Sequence, residues 1–241
     1  MNISGCLASF NGEKYIHAQI KSIIDQLGIN DELIICDDGS TDNTLKIIDQ
    51  FNDERIQLYK DRNHFNPIFN FESAINFSIK EIIVLSDQDD VWMPNRIDII
   101  KSHFNKTNEV KYNLLVMDAE GIDSEGNTLY PSMLKYLNAR RGILKNIKKN
   151  SYIGCCLAFS KDVKNLITPF PINIPMHDVW IGIICDLYGS VYFDKRISLI
   201  YRRHGNNFTR ERYNIFRSIG WRIMLLFNLL LRYISLLSKK K

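Results

Sequence analysis

A chain of 241 residues, 45% hydrophobic and 24% charged, can bury one substantial α/β core and is too apolar to remain disordered. Its formal net charge of +4 is modest, and no nucleic-acid partner is expected. The positive charge is uneven, however: Lys135, Arg140, Arg141, Lys145, Lys148 and Lys149 form one basic stretch and the residues after Arg202 another, each suited to phosphates or an anionic membrane.

Ile3 to Ala8 reads as a first strand, broken by the turn residues Asn11 and Gly12. Ile16, Ile20, Ile23, Ile24 and Leu27 then fall on one helical face, with Gly28 placed as a C-terminal cap. Leu33 to Cys36 is a short buried strand ending in Asp37 and Asp38. Ser40 or Thr41 can cap the helix starting near Asn43, which turns Leu45, Ile48 and Phe51 inward. Ile56 to Tyr59 is a third strand, and Ile68 to Lys80 a helix with Phe71, Ala74, Ile75 and Ile79 inward.

The fourth strand, Ile82 to Leu85, runs into Ser86-Asp87-Gln88-Asp89-Asp90-Val91-Trp92. Strands alternating with helices predict a parallel sheet covered on both faces. Right-handed crossovers then bring Ala8 to Asn11, Asp37 to Asp42 and Asp87 to Asp90 to one edge. Three carboxylates within four residues repel one another unless a cation or separate solvation offsets the repulsion. Oxygen ligands on a short loop suit magnesium or manganese; a solvated acidic turn is the alternative.

Asn95 to His103 reads as a short helix before strand Leu114 to Met117, whose end Asp118 caps. Tyr130 to Asn150 is basic and weakly periodic, and is expected as a mobile segment over the site. Ile153 to Phe159 is strand-like, and Pro169, Pro171 and Pro175 keep the chain extended. His177-Asp178 opens a helix, where Asp178 is either functional or an N-cap. Val191 to Phe193 and Ile197 to Tyr201 are late strands before Arg202-Arg203-His204-Gly205-Asn206-Asn207. The five cysteines, Cys6, Cys36, Cys155, Cys156 and Cys185, lie mostly in apolar runs without metal-ligand spacing and are expected as reduced core residues. With no secretory-type leader, a cytosolic location is expected.

GxGxxG and GxxxxGK[ST] are absent, so neither a dinucleotide fold nor a P-loop is supported. The strings SFNGEKY, CDDGSTDNT, SDQDDVW, MHDVW and YRRHGNN, in order and spacing, resemble the motifs of family 2 glycosyltransferases of GT-A fold, bacterial rhamnosyltransferase-like members among them. The resemblance runs roughly from Ile3 to Asn207. It implies a single Rossmann-like nucleotide-sugar-binding domain with a mostly parallel sheet. Asp38 would bind the base or ribose, with Ala8, Phe10, Asn11, Glu13 and Asp87 also at the nucleotide. Asp87 and Asp89 would hold Mn2+ or Mg2+ on the diphosphate, with His204 completing the metal site or touching phosphate. Asp178 would be the general base, and Trp92, His177 and Trp180 would contact the acceptor. Its place at a helix start favours a charged carboxylate, so Asp178 is expected to be ionised at neutral pH without special tuning.

The expected reaction is inverting transfer of a sugar, L-rhamnose being a candidate, from a UDP- or dTDP-linked donor to a hydroxyl of a growing cell-surface glycan or lipid-linked saccharide. A sugar nucleotidyltransferase and a non-catalytic nucleotide-sugar-binding or membrane-assembly protein are the alternatives. Residues 1–210 are expected as the catalytic domain and 211–241 as an amphipathic basic tail. Ile219 to Leu237 is apolar but carries Arg222, Asn228, Arg232 and Ser235. A spanning helix would put one of these deep in hydrocarbon, about 2.5 to 3.5 kcal/mol for a central Arg, so the tail is expected to lie in the interface at the inner face of the cell membrane. Lys239 to Lys241 would meet anionic headgroups. A core helix or a dimer helix, and hence a homo-oligomer, is the competing expectation.

Overall fold

Alternating apolar side chains give the central sheet two buried faces. In the computed structural model, which describes residues 1–60, 64–205 and 215–238, Leu33 and Ile35 enter one core while Ile34 and Cys36 enter the other. Expectations placed on Asn206, Asn207, Lys239 to Lys241 and a boundary near residue 210 fall outside the described residues.

The first half is built from β1 (Ile3–Ser9), α1 (Ile16–Ile24), β2 (Glu32–Asp37), α2 (Thr44–Asp49), β3 (Ile56–Tyr59), α3 (Pro67–Phe77) and β4 (Ile82–Asp87). The second adds β5 (Val91–Trp92), α4 (Arg96–Lys106), β6 (Asn113–Ile122), β7 (Thr128–Tyr130), α5 (Met133–Tyr136), α6 (Ile143–Lys148), a 3₁₀ turn (Gly154–Cys156), β8 (Leu157–Ser160), α7 (Lys161–Ile167), α8 (His177–Tyr188), β9 (Ser190–Arg202) and α9 (Ile215–Ser238). Ile16, Ile20 and Ile23 of α1 join Ile97, Ile100 and Phe104 of α4 on one face of the sheet. Phe71, Val163 and Trp180, from α3, α7 and α8, cover the other, with Leu225 and Leu229 of α9. All five cysteines are free and buried.

The strands lie in the order β3-β2-β1-β4-β8-β6-β9-β5, with β7 beside β6. The expected mostly parallel sheet is corrected here to a mixed one. β1–β2, β1–β4, β2–β3 and β6–β9 pair parallel, whereas β4–β8, β6–β8, β5–β9 and β6–β7 pair antiparallel. β8 reverses because residues 131–156 cross the edge where β4 ends, so the chain enters β8 from the site side.

Several element ends also differ from expectation. α1 stops at Ile24, and Gly28 instead donates its N–H to Asp31 Oδ2 at 2.8 Å. Neither Ser40 nor Thr41 caps α2; Asp42 Oδ1 accepts the Thr44 N–H at 2.9 Å. α3 begins at Pro67 behind the Asn66 cap and ends at Phe77, leaving Ile79 exposed. The two late strands are one: β9 continues through a register shift against β6, between Met117↔Asp194 and Asp118↔Ile197. Asp118 lies inside β6, where its oxygens accept from Ser132 Oγ at 2.6 Å and Leu134 N–H at 2.9 Å. The segment read as mobile folds into α5 and α6, burying Met133, Leu134 and Ile147.

α9 docks along one face. Arg222 donates to the Ile147 and Lys148 carbonyls at 3.1 and 2.7 Å, and Arg232 donates to Thr168 at 2.8 Å and to Pro169. Leu225, Asn228 and Leu229 are buried with it. Thus Arg222, Asn228 and Arg232 turn toward the domain, and the outward stripe of Ile223, Phe227, Leu230, Leu231, Ile234 and Leu237 keeps Ser235 as an exposed polar residue. Residues Ile219–Ser238 are long and apolar enough to cross a membrane by length and composition. This single apolar helix suits peripheral membrane association.

Candidate active site

Side chains stitch together the strand ends. Ala8 lies opposite both Cys36 and Asp87. Asn11 takes a left-handed turn at φ 48°; its Oδ1 accepts the Thr41 N–H at 2.8 Å and its own N–H donates to Ser40 Oγ at 2.8 Å. Gln88 joins the acidic loop to the first: its Oε1 accepts from Phe10 N–H at 2.9 Å, and its Nε2 donates to the Phe10 carbonyl at 3.0 Å. A pocket of about 990 Å³ opens over these loops. Ala8, Phe10 and Asn11 line it, as do Asp38, Asp87, Asp89, His177, Asp178 and His204 from other segments.

Asp38 is buried, and its oxygens accept the N–H groups of His64 and Asn66 at 2.5 and 3.0 Å, fixing the wall before α3. Glu13 is placed differently from its expected position at the nucleotide. It is exposed and outside the pocket, where its Oε2 accepts from Asn43 N–H and Nδ2 at 3.0 and 2.8 Å.

In the acidic loop, His204 Nε2 lies 2.7 Å from Asp89 Oδ2. Arg202 donates its backbone N–H to Asp90 Oδ1 at 3.0 Å and its Nε to the Asp89 carbonyl at 3.2 Å. Tyr15 stacks on the His204 ring at 5.2 Å and supports the Arg202 guanidinium at 4.9 Å from its ring centre. Burial, followed by the neighbouring charge of Asp89, pushes Asp87 up to about 7, and burial also drives Asp90 well upward.

Asp87, Asp90 and Cys155 present potential ligand atoms within 4.8 Å of one another, a cluster able to hold a divalent cation. Asp90 Oδ2 is buried with no hydrogen-bond partner among the described residues. Crowded acids with an orphaned oxygen fit such a cation. Cys155 itself is a poor ligand for a hard metal. Burial keeps its thiol well above the ordinary range, protonated and hydrogen-bonded to Asp87. The sequence offered no sign of Cys155 beyond packing, because only the reversed entry into β8 brings it to the acids.

The start of α8 also lines the pocket. Asp178 is not its N-cap: Met176 occupies that position, and Asp178 Oδ1 accepts from Val179 N–H at 2.5 Å and Asn150 Nδ2 at 3.1 Å. The expectation of an untuned, fully ionised carboxylate is corrected. Burial outweighs both bonds and holds Asp178 at about 7. His177 is buried against Phe71 at 4.3 Å, with neither ring nitrogen partnered among the described residues, and burial lowers it to about 3, leaving it neutral.

Two residues expected at the acceptor sit in the cores instead. Trp92 donates Nε1–H to Ser86 Oγ at 3.0 Å, and Trp180 donates to the Ile167 carbonyl at 2.9 Å; neither lines the pocket. Trp180 is two residues past Asp178, so the helix turns it about 200° away from the pocket wall. The indole that does line it is Trp221 of α9.

The family pattern described as "Glycosyl transferase family 2" matches residues 4–166, and the chain belongs to this family. It is 27% identical over 190 residues to the Escherichia coli UDP-Glc:alpha-D-GlcNAc-diphosphoundecaprenol beta-1,3-glucosyltransferase WfgD, covering 76% of this chain and 70% of that protein. It is 26% identical over 229 residues to the Shigella flexneri dTDP-rhamnosyl transferase RfbG, covering 83% and 72%. The fold is similar to that of S. aureus TarS 1-349 in complex with UDP-GlcNAc, at TM-score 0.73 and 16% identity, covering 95% of this chain and 67% of that one. Against another structure of TarS 1-349 the match covers 60% of that chain, so this chain spans less than two thirds of it.

Proposed function

We propose that this chain is an inverting glycosyltransferase that moves a sugar from a UDP- or dTDP-linked donor to a hydroxyl of a lipid-linked or growing cell-surface saccharide. The observation that carries the reading is the placement of Asp87 and Asp89 across one pocket from Asp178. The relatives named above use UDP-glucose and dTDP-rhamnose, and one acts on a diphosphoundecaprenol-linked sugar by its name; this supports the donor and acceptor classes.

The floor of the pocket, Ala8 to Asn11 with Asp38, suits the base and ribose, whose N–H and hydroxyl groups need acceptors. Asp87, clustered with the unpartnered Asp90 oxygen, and Asp89, 2.7 Å from His204, are with His204 the residues suited to Mn2+ or Mg2+. Such a cation, when bound, supplies positive charge against the negative charge of the departing diphosphate. Asp178, on the other side, takes the proton of the acceptor hydroxyl as its oxygen bonds to the anomeric carbon. The bond from that carbon to the diphosphate oxygen breaks with its electron pair leaving on the diphosphate. A carboxylate held at about 7 is a stronger proton acceptor than an ordinary Asp and is still substantially ionised at neutral pH. Met133 and Tyr136 of α5 wall the cleft, limiting water at the donor, and the outer stripe of α9 rests in the interface of an anionic membrane.

The test is Asp178→Asn assayed for release of nucleoside diphosphate and for donor affinity. Turnover should fall about 10²- to 10⁴-fold with donor affinity nearly unchanged. Unchanged turnover would remove Asp178 from the role. Absence of nucleoside diphosphate release from every donor offered to the unaltered protein would favour a non-catalytic binding module.

A further inference from the structure

On α8, residues 178, 182 and 186 recur every four positions and share one face. The segment from Arg141 to Tyr152 engages all three. Asp186 receives the Gly142 N–H at 3.0 Å, the Tyr152 hydroxyl at 2.7 Å and Arg141 Nε at 3.4 Å. The Tyr152 ring lies over Gly182 so closely that a Cβ there would stand 2.1 Å from it. At the pocket end, Asn150 Nδ2 donates to Asp178 Oδ1 at 3.1 Å. The segment is therefore registered on the helix before it reaches the acid.

Asn150 is itself held on both sides. Its Oδ1 accepts the Tyr152 N–H at 3.0 Å and its Nδ2 also donates to the Tyr152 carbonyl at 3.1 Å, which fixes the amide orientation. Arg222 of α9 ties down the preceding turn through the Ile147 and Lys148 carbonyls. With Asn150 and Val179 both bonded to Oδ1, the second oxygen of Asp178 accepts from no other residue among those described, in a side chain that lines the pocket; its own backbone N–H also bears on the carboxylate.

We propose that Asn150 is a positioning residue for Asp178: it pins Oδ1, presents Oδ2 to the acceptor hydroxyl, and favours the ionised form by donating a hydrogen bond to it. The proposal rests on the reading of Asp178 as the base. A donor to a carboxylate stabilises its charged state, and it opposes the effect of burial here. Asp87, which also lines the pocket, interacts electrostatically with Asp178, and the adjacent His177 is held neutral by burial.

Asn150→Asp tests this directly. It keeps an oxygen for the Tyr152 N–H but replaces the N–H that faces Asp178 with a second carboxylate oxygen. The acid limb of kcat against pH should move upward by about one unit, so turnover below the limb falls about tenfold, while donor affinity in Mn2+ stays within about twofold. Asn150→Ala should move the limb in the same direction by less, and it serves if the aspartate variant does not fold. A residue with a merely structural role would lower the melting temperature and leave the pH profile in place. A superimposable profile for the variants, with Asp178→Asn inactive, overturns the role of Asn150 alone. Normal turnover of Asp178→Asn overturns the base assignment and this proposal together.

Discussion

His204 Nε2 and Asp89 Oδ2 are 2.7 Å apart, although 115 positions separate them in the chain. The loop two residues past the last strand therefore closes directly on the acidic loop, and Tyr15 backs it from α1's approach. For the proposed metal site, Asp89→Asn should abolish the gain in UDP or dTDP affinity that Mn2+ gives. His204→Ala should weaken metal affinity by roughly 10- to 100-fold. Titration calorimetry with and without the metal reads both effects; equal nucleotide affinity in the two conditions would sink the assignment.

Asp87 and Asp178 are both held at about 7, above an unfolded value of about 3.9. Between these values the folded chain binds more protons than the unfolded one. The stabilisation is present in acid and is lost as pH rises through 7. Asp87 is partly exposed, so its share is put at only about 1 kcal/mol. Asp87→Asn should raise the melting temperature of the metal-free protein at pH 7.5 by roughly 2 to 4 °C, with little change at pH 4.5. Melting curves in chelator at the two pH values decide it.

Trp180 fills the core and bonds the Ile167 carbonyl. Trp180→Phe should cost about 1 to 3 kcal/mol through the lost bond and volume, leaving KM for the acceptor unchanged. A raised acceptor KM in a variant of normal stability would return Trp180 to the binding surface.

The two faces of α9 should separate by mutation. Arg232→Ala strips donors from the carbonyls at the end of α7 and should destabilise the fold by about 1 to 3 kcal/mol. Phe227→Asp with Leu231→Asp, on the exposed stripe, should leave the melting temperature within a few degrees and abolish flotation with anionic vesicles. Undiminished flotation of the double variant would refute the membrane face.

The parallel half of the sheet was legible because its strands are local. Ile82 to Leu85 ends in acids in the sequence just as β4 does in space, and the Asn11 turn is stated by residue type. What escaped the sequence depends on distant chain. Asp194, Lys195 and Arg196 interrupt the apolar run of β9 and make it read as two strands, yet Asp194 stays paired with Met117 and only Lys195 and Arg196 bulge out before Ile197 pairs with Asp118. Trp92 and Trp180 stand beside functional acids in sequence, but alternation along a strand and rotation along a helix direct them into the cores. Composition marked Arg222 and Arg232 as breaks in an apolar helix; which way they face depends on carbonyls at the ends of α6 and α7. The helix start at Asp178 is local information, whereas the burial that tunes its carboxylate is not.

The crossing of distant chain at the acidic loop also imposes an order of assembly. β1 to β4 make all their pairings with one another within the first 87 residues, through short loop closures. Among the described residues Val91 and Trp92 pair in the sheet only with Ile200 and Leu199, and Asp90 receives the Arg202 N–H across 112 positions. Long-range closures of this kind are slow, and a chain emerging from the ribosome cannot make them until its distal strand is available. The nucleotide floor can thus form early in synthesis, while the acids at its edge gain their last backbone partner only when β9 arrives.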